Sequence, residues 1–145
     1  MERHFNVTVY VFSPSSRKFL FIKHKKLGKW LPPGGHIEAN ERPDVAGVRE
    51  VIEETGIDVH LEGERFPREI DIVRPFGIQL NVIDPEKHEH MDVVYLAVPT
   101  GNEDEKINTQ ETTGIGWFAI EEIENESFDT FRETKMWCRR FYEMR

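Results

Sequence analysis

Cysteine is all but absent from this chain. Cys138 stands alone among 145 residues, so no internal disulfide can form and nothing asks for an oxidising compartment. Long hydrophobic runs are missing as well. No apolar stretch approaches the roughly twenty residues that cross a bilayer, which excludes a membrane-spanning helix. Met1 to Asn6 is polar and the apolar residues after it alternate, so no signal sequence is read there and the expected setting is cytoplasmic. Positive charge is in deficit: 19 Lys and Arg against 27 Asp and Glu leave a net charge of −8. That balance argues against a broad nucleic-acid-binding surface, while leaving room for a local phosphate site. Internal repeats, low-complexity tracts and linkers are absent too. Apolar residues make up 38% and charged residues 32%, yet the β-branched and aromatic side chains come in organised runs, unlike those of a disordered chain. One domain over residues 1–145 is the economical expectation, because this length buries a core without disulfides or a structural metal.

Phe5, Val7, Val9 and Val11 alternate with Asn6, Thr8, Tyr10 and Phe12, which predicts a strand. Ser13-Pro14-Ser15-Ser16 predicts a turn and residues 18–25 a second strand, together a hairpin. Residues 27–35 hold three glycines and two prolines and are expected as loop. Residues 43–55 predict a helix, with Pro43 at its start and Gly56 just past its end. Extended segments are expected at 57–62, 69–82 (broken near Pro75 and Gly77), 91–98 and 114–118. Residues 100–113 are polar without period. Phe131, Cys138, Phe141 and Tyr142 fall at helical spacing in a C-terminal helix over about 129–144. The order of elements gives one α/β domain.

The helix at 43–55 carries the chemistry. At about 100° per residue, Glu50, Glu53 and Glu54 fall within roughly 100° of one face. Val45, Val48, Ile52 and Thr55 centre on the other face, which is expected to pack on a sheet. Carboxylates at i, i+3 and i+4 repel by a few tenths of a kcal/mol per pair, and a hard dication such as Mg²⁺ or Mn²⁺ reverses that sign. Ala46 and Gly47 stand one turn before the glutamates. Glycine inside a helix costs about 1 kcal/mol relative to alanine, so a close approach of another backbone is expected there, with Gly34-Gly35 as the candidate. Arg49, four residues before Glu53, is placed to hold that carboxylate. A charged face with no ligand is the alternative that these residues alone leave open.

Residues 35–57, GHIEANERPDVAGVREVIEETGI, fit Gly-x5-Glu-x7-Arg-Glu-aliphatic-x-Glu-Glu-x-Gly-aliphatic without a departure. Seven positions demand a single residue type, so a chance match at a given start is about one in a billion. The segment resembles the signature of the Nudix hydrolases, and Gly28 to Gly35 resembles the loop that leads into it. The resemblance implies an α/β/α sandwich around a mixed sheet, and an enzyme that uses Mg²⁺ or Mn²⁺ to cleave a phosphoanhydride bond. By the same resemblance, Glu50, Glu53 and Glu54 bind metal with the Gly34 carbonyl. Arg49, Glu53 and Glu111 are the candidate catalytic residues, Glu111 being an acid drawn from the loop before the late strand, with Glu103 or Glu105 as substitutes. Glu41 is structural, bonded near the helix start. The implied partner is a small phosphorylated substrate, a nucleotide. A non-catalytic Nudix scaffold that senses a nucleotide and a hydrolase of a non-nucleotide diphosphate are the rival implications. Marks of subfamilies that prefer ADP-ribose, diadenosine polyphosphates, coenzyme A or NADH are not found.

Other signals are weaker. Lys23-His24-Lys25-Lys26 leads into the glycine loop, and Lys23 and Lys25 are paired as candidate phosphate contacts on one strand face; a solvated strand end is the alternative. Trp30 is expected as a core anchor rather than a stacking platform. His88, His90 and Asp92 alternate on one strand face, a poor tetrahedral arrangement for a metal, so exposure or substrate contact is expected. His36 receives no role, and Cys138 is expected in the core.

Overall fold

The computed structural model describes residues 2–65, 71–84, 88–106 and 112–145. Eight strands and three helices follow in the order β1 (Glu2–Ser13), β2 (Lys18–His24), β3 (Trp30–Leu31), β4 (Gly34–His36), α1 (Pro43–Thr55), β5 (Val59–Glu62), β6 (Gly77–Asp84), β7 (His88–Pro99), β8 (Thr112–Ala119), α2 (Ile120–Glu124) and α3 (Arg132–Met144). Strands β1 and β7 run parallel at the centre and every other pairing is antiparallel, so the sheet is mixed. β1 pairs with β2 at its end, at Phe12 and Ser13, and with β4 further back, at Asn6, Val7 and Thr8. That switch of partner seats the glycine strand β4 beside the middle of the sheet. Two of the differences from expectation lie here: the supposed loop 27–35 contains β3 and most of β4, because main-chain pairing to β1 and β2 overrides its glycine and proline content.

Alternation along β1 sends Val7, Val9 and Val11 to one face and Tyr10 and Phe12 to the other, and both faces are covered. The first cluster packs under α1 through Ala46 and Val51, joined by Ile57, Val59, Leu61, Val93 and Tyr95. The second packs under α2 and α3 through Ile120, Ile123, Cys138 and Phe141. This is the expected α/β/α sandwich, and Cys138 is core. Helix α2 was not foreseen from the sequence; five residues are too few for a visible period. Residues 69–70 of the expected segment 69–82 lie outside the described residues. The regular ladder begins only at Gly77, after Pro75, which has no N–H to give.

Helix α1 starts and stops as expected, with Pro43 in its first turn and Gly56 closing it at φ +73°. Its orientation differs. The face against the sheet is Ala46, Gly47, Glu50, Val51, Glu54 and Thr55; of the four residues expected there, Thr55 is buried and Val48 packs against the core, whereas Val45 and Ile52 are exposed. Gly47 explains the choice. A β-carbon there would sit 3.3–3.4 Å from Val9 and Val7 side chains, so the helix backbone rests directly on β1. A face built on Val45 and Ile52 would stand further off the sheet. The close partner of Gly47 is therefore β1, not the Gly34-Gly35 segment.

Candidate active site

Turning α1 this way carries two carboxylates inward onto β4. Glu54 is 4% exposed, and its Oε1 accepts the N–H of Gly34 at 2.8 Å. Glu50 lies against Gly35, where an added β-carbon would come within 2.6 Å of its carboxyl group. Only glycine leaves that space. The expected Gly34 ligand atom was its carbonyl; the Gly34 contact found is through its N–H.

Arg49 binds these acids into one network. Its Nε and Nη2 donate to the two oxygens of Glu41 at 2.7 and 2.9 Å, its Nη1 to Glu50 at 3.0 Å and Glu53 at 3.2 Å, and Nη2 also to the carbonyl of His36 at 3.0 Å. The hydrogen bonds it donates to Glu41 are the largest cause holding the Arg49 guanidinium well above its usual range. In return Arg49 holds the Glu41 carboxyl below the usual carboxylate range. Glu41 was expected to bond near the helix start; its main partner is Arg49. Glu53 is the outermost of the three helix glutamates and remains exposed. The helix start is fixed instead by Asp44. Burial would raise its carboxyl, but two bonds from Arg42 and the N–H groups of Val73 and Val45 outweigh that and lower it.

The other side chains singled out from the sequence fall around this core unevenly. Lys23 continues the alternation of Phe19 and Phe21, and its Nζ stands 5.9 Å from the Trp30 ring, on the sheet face away from α1. Lys25 lies beyond the end of β2 in an exposed turn, and the ladder is irregular between Lys23 and His24. The two lysines therefore do not alternate along one strand face. Trp30 packs edge-on against Phe118, with centroids 4.8 Å apart, as a core anchor. Glu103 accepts the Ser13 hydroxyl at 2.7 Å, while its carbonyl takes the Trp117 indole N–H at 3.0 Å. The Lys106 N–H bonds the carbonyl of Thr55, so this loop docks on the end of α1. Glu111 lies outside the described residues. What the sequence did not reveal is that Gly35 cradles Glu50 and that Glu41 clamps Arg49 from both oxygens; both contacts join segments whose spacing carries no period.

A hard divalent cation fits this donor set. Three carboxylates stand within one turn and a half of helix, one of them in the space that Gly35 leaves open and one bonded to the Gly34 N–H. Among the described residues, no three His, Cys, Asp or Glu side chains are already gathered about one point; Arg49 spans Glu50 and Glu53. Residues 2–137 match the family model of the NUDIX domain.

The chain belongs to the Nudix family.

A crystal structure of a NUDIX-family hydrolase from Clostridium perfringens superposes over 99% of both chains with a TM-score of 0.81 at 29% identity. A putative 8-oxo-dGTP diphosphatase of Bacillus subtilis (strain 168) is 37% identical over 49 residues, which are 34% of this chain and 33% of that protein. An m7GpppN-mRNA hydrolase, NUDT17, of Danio rerio is 53% identical over 30 residues, 21% of this chain and 10% of that protein. The chain thus aligns with a third or less of each of these two curated relatives. No helix among the described residues is long and apolar enough to cross a membrane.

Proposed function

We infer that this Nudix chain hydrolyses a phosphoanhydride bond in a nucleoside triphosphate or a nucleoside diphosphate-linked small molecule, with Mg²⁺ or Mn²⁺ held by Glu50, Glu53 and Glu54. The observation that carries this is the inward turn of α1, which sets Glu50 and Glu54 against Gly35 and Gly34 beside the exposed Glu53. When bound, such an ion neutralises phosphate charge and makes water more acidic. The chain's own residues prepare the place. Arg49 fixes the orientation of Glu50 and Glu53, and the Gly34 N–H fixes Glu54. Glu111 is proposed as a further acid: its segment leaves the end of α1 at Lys106 and enters β8 at Thr112. Lys23 and Lys25 remain proposed phosphate contacts, now as separate side chains. The names of the Bacillus and Danio relatives, both nucleotide derivatives' hydrolases, support a nucleotide substrate.

The test is a panel of nucleoside di- and triphosphates, nucleotide sugars, dinucleotides and non-nucleotide diphosphates with Mg²⁺ and Mn²⁺, run on the wild type and on Glu53→Gln, Glu54→Gln and Glu111→Gln. Each variant is expected to keep its fold and lose at least about a hundredfold in kcat on the preferred member, the lower range for a general base. Near-wild-type turnover in both helix variants would remove the glutamate site. Turnover confined to non-nucleotide diphosphates would overturn the substrate class.

A further inference from the structure

Polar side chains gather along one line of the sheet face turned away from α1. In register across four strands stand His36 on β4, Asn6 on β1, Asp92 on β7 and Gln79 on β6. The neighbouring line holds His4, His90 and Asn81. Further along the strands the same face turns to Tyr10, Val94 and Leu96, in the core under α2 and α3. At the usual spacing between strands the polar row is roughly 14 Å long, the reach of a nucleotide. It starts at His36, which follows Gly34-Gly35 and whose carbonyl receives Arg49.

The hydrogen bonds along the row have a direction. Asp92 is 5% exposed and is held by amides from β6, with no cation among the described residues bonded to it. The Trp137 indole can only donate, and it gives its N–H to Gln79 Oε1 at 2.9 Å. The nitrogen end of the Gln79 amide is therefore the one that bonds Asp92. Asn81 also donates its Nδ2 to Asp92, which leaves its Oδ1 turned away to accept from elsewhere. On the other side of Asp92, Nδ2 of Asn6 stands 3.0 Å from Nδ1 of His90, while the buried Oδ1 of Asn6 has no partner. A network closed on itself would use both oxygens. Burial pushes the Asp92 carboxyl up to about 6 against the pull of the two amides, so this acid is kept at a cost to stability.

We propose that this row reads the base of the substrate: the amide oxygens of Asn6 and Asn81 accept N–H donors from a guanine-type edge, and Asp92 is the positioning residue that turns Asn81 outward. The inference rests on the nucleotide substrate proposed above and assigns the part of it that is recognised. Guanine carries a ring N–H beside an exocyclic amine, donors that suit two amide oxygens. Hypoxanthine lacks the amine, and a bare ribose phosphate lacks both. A site built to bond such donors rejects the analogue without them, because its own acceptor is then left unpaired.

The experiment titrates the full chain by calorimetry with guanosine 5′-monophosphate, inosine 5′-monophosphate and ribose 5-phosphate, so that binding is read apart from turnover. The guanine ligand is expected to bind about tenfold more tightly than the inosine ligand, the scale of one net hydrogen bond, and ribose 5-phosphate more weakly still. Asn6→Leu and Asn81→Leu should each bring the two nucleotides level. Asp92→Asn should do the same, while its Tm holds or rises above pH 6, where the wild type carries the buried charge. With Mg²⁺ and GTP, these variants should raise KM more than they lower kcat. Equal affinity of the wild type for the two nucleotides, or full discrimination in both asparagine variants, overturns the proposal. A lower Tm in Asp92→Asn with an unaltered ratio overturns the positioning role. Discrimination without hydrolysis of GTP keeps the base row and counts against the hydrolase reading instead.

Discussion

Replacing Arg49 by methionine keeps the length and apolar stem of the side chain and removes every hydrogen bond of the guanidinium. Glu41, with a side chain 13% exposed, and Glu50, 11% exposed, would then be largely buried carboxylates without this cation. Breaking one partner out of a buried ion pair costs about 3–5 kcal/mol. Arg49 is itself a quarter exposed, and its bond to the exposed Glu53 adds well under about 1 kcal/mol. A loss near the lower end, about 3 kcal/mol, is expected at pH 7 and low salt. At roughly 2–4 °C per kcal/mol for a chain of this size, Tm should fall by about 10 °C. Urea unfolding gives the free energy directly and calorimetry gives Tm. The pairing of Glu41→Gln with Arg49→Met should recover part of the loss, because a neutral amide at 41 leaves one fewer stranded charge. Mg²⁺ should raise Tm more in Arg49→Met than in the wild type, since the dication takes over the neutralisation of Glu50 and Glu53. A destabilisation below about 1 kcal/mol, with an unchanged response to Mg²⁺, would refute the idea that Arg49 holds these acids together.

Two further predictions test the neighbouring contacts. Gly35→Ala forces a β-carbon into the Glu50 carboxyl group, so about 1–3 kcal/mol of stability and most Mg²⁺-dependent activity should be lost; wild-type activity would show that Glu50 can move at no cost. Asp44 has a folded-state pKa below its unfolded value, so its contribution is present above about pH 4 and fades as pH falls through the folded pKa. Asp44→Asn should therefore cost about 1–2 kcal/mol at pH 7, with the gap to wild type closing towards pH 3 in urea titrations; a gap independent of pH would contradict the role given to Arg42.

The strands and helix ends were legible because each rests on local chemistry. The alternation of Val7, Val9 and Val11 needs only a period of two, and the limits of α1 need only Pro43 and a left-handed Gly56. The two short strands that form in the glycine- and proline-rich segment, β3 and β4, and the five residues of α2, lack that local signature. β4 exists because Gly34 to His36 find main-chain partners on β1, a contact made across more than twenty residues. The glutamates, Arg49 and Gly34 were legible as a set, yet not the direction in which they face. Apolar counting pointed Val45 and Ile52 inward; the structure turns them out.

The rotation of α1 from the expected face also says what the helix is built to do. Burying Glu50 and Glu54 while exposing two β-branched side chains is a poor bargain for stability alone, because unpaired buried carboxylates cost several kcal/mol. The arrangement holds because each charge has a designated partner: Gly34 N–H for Glu54, and Arg49, itself clamped by Glu41, for Glu50. Glu41 thus acts at one remove, by keeping Arg49 where it meets the inner glutamates. Gly35 removes the side chain that would compete for the same volume, and Gly47 lets the helix come close enough for these contacts to form. A helix selected only to cover the sheet would need none of these features. Together they keep several like charges apart from bulk water, partly neutralised and on one edge, which is the condition in which an arriving dication gains most.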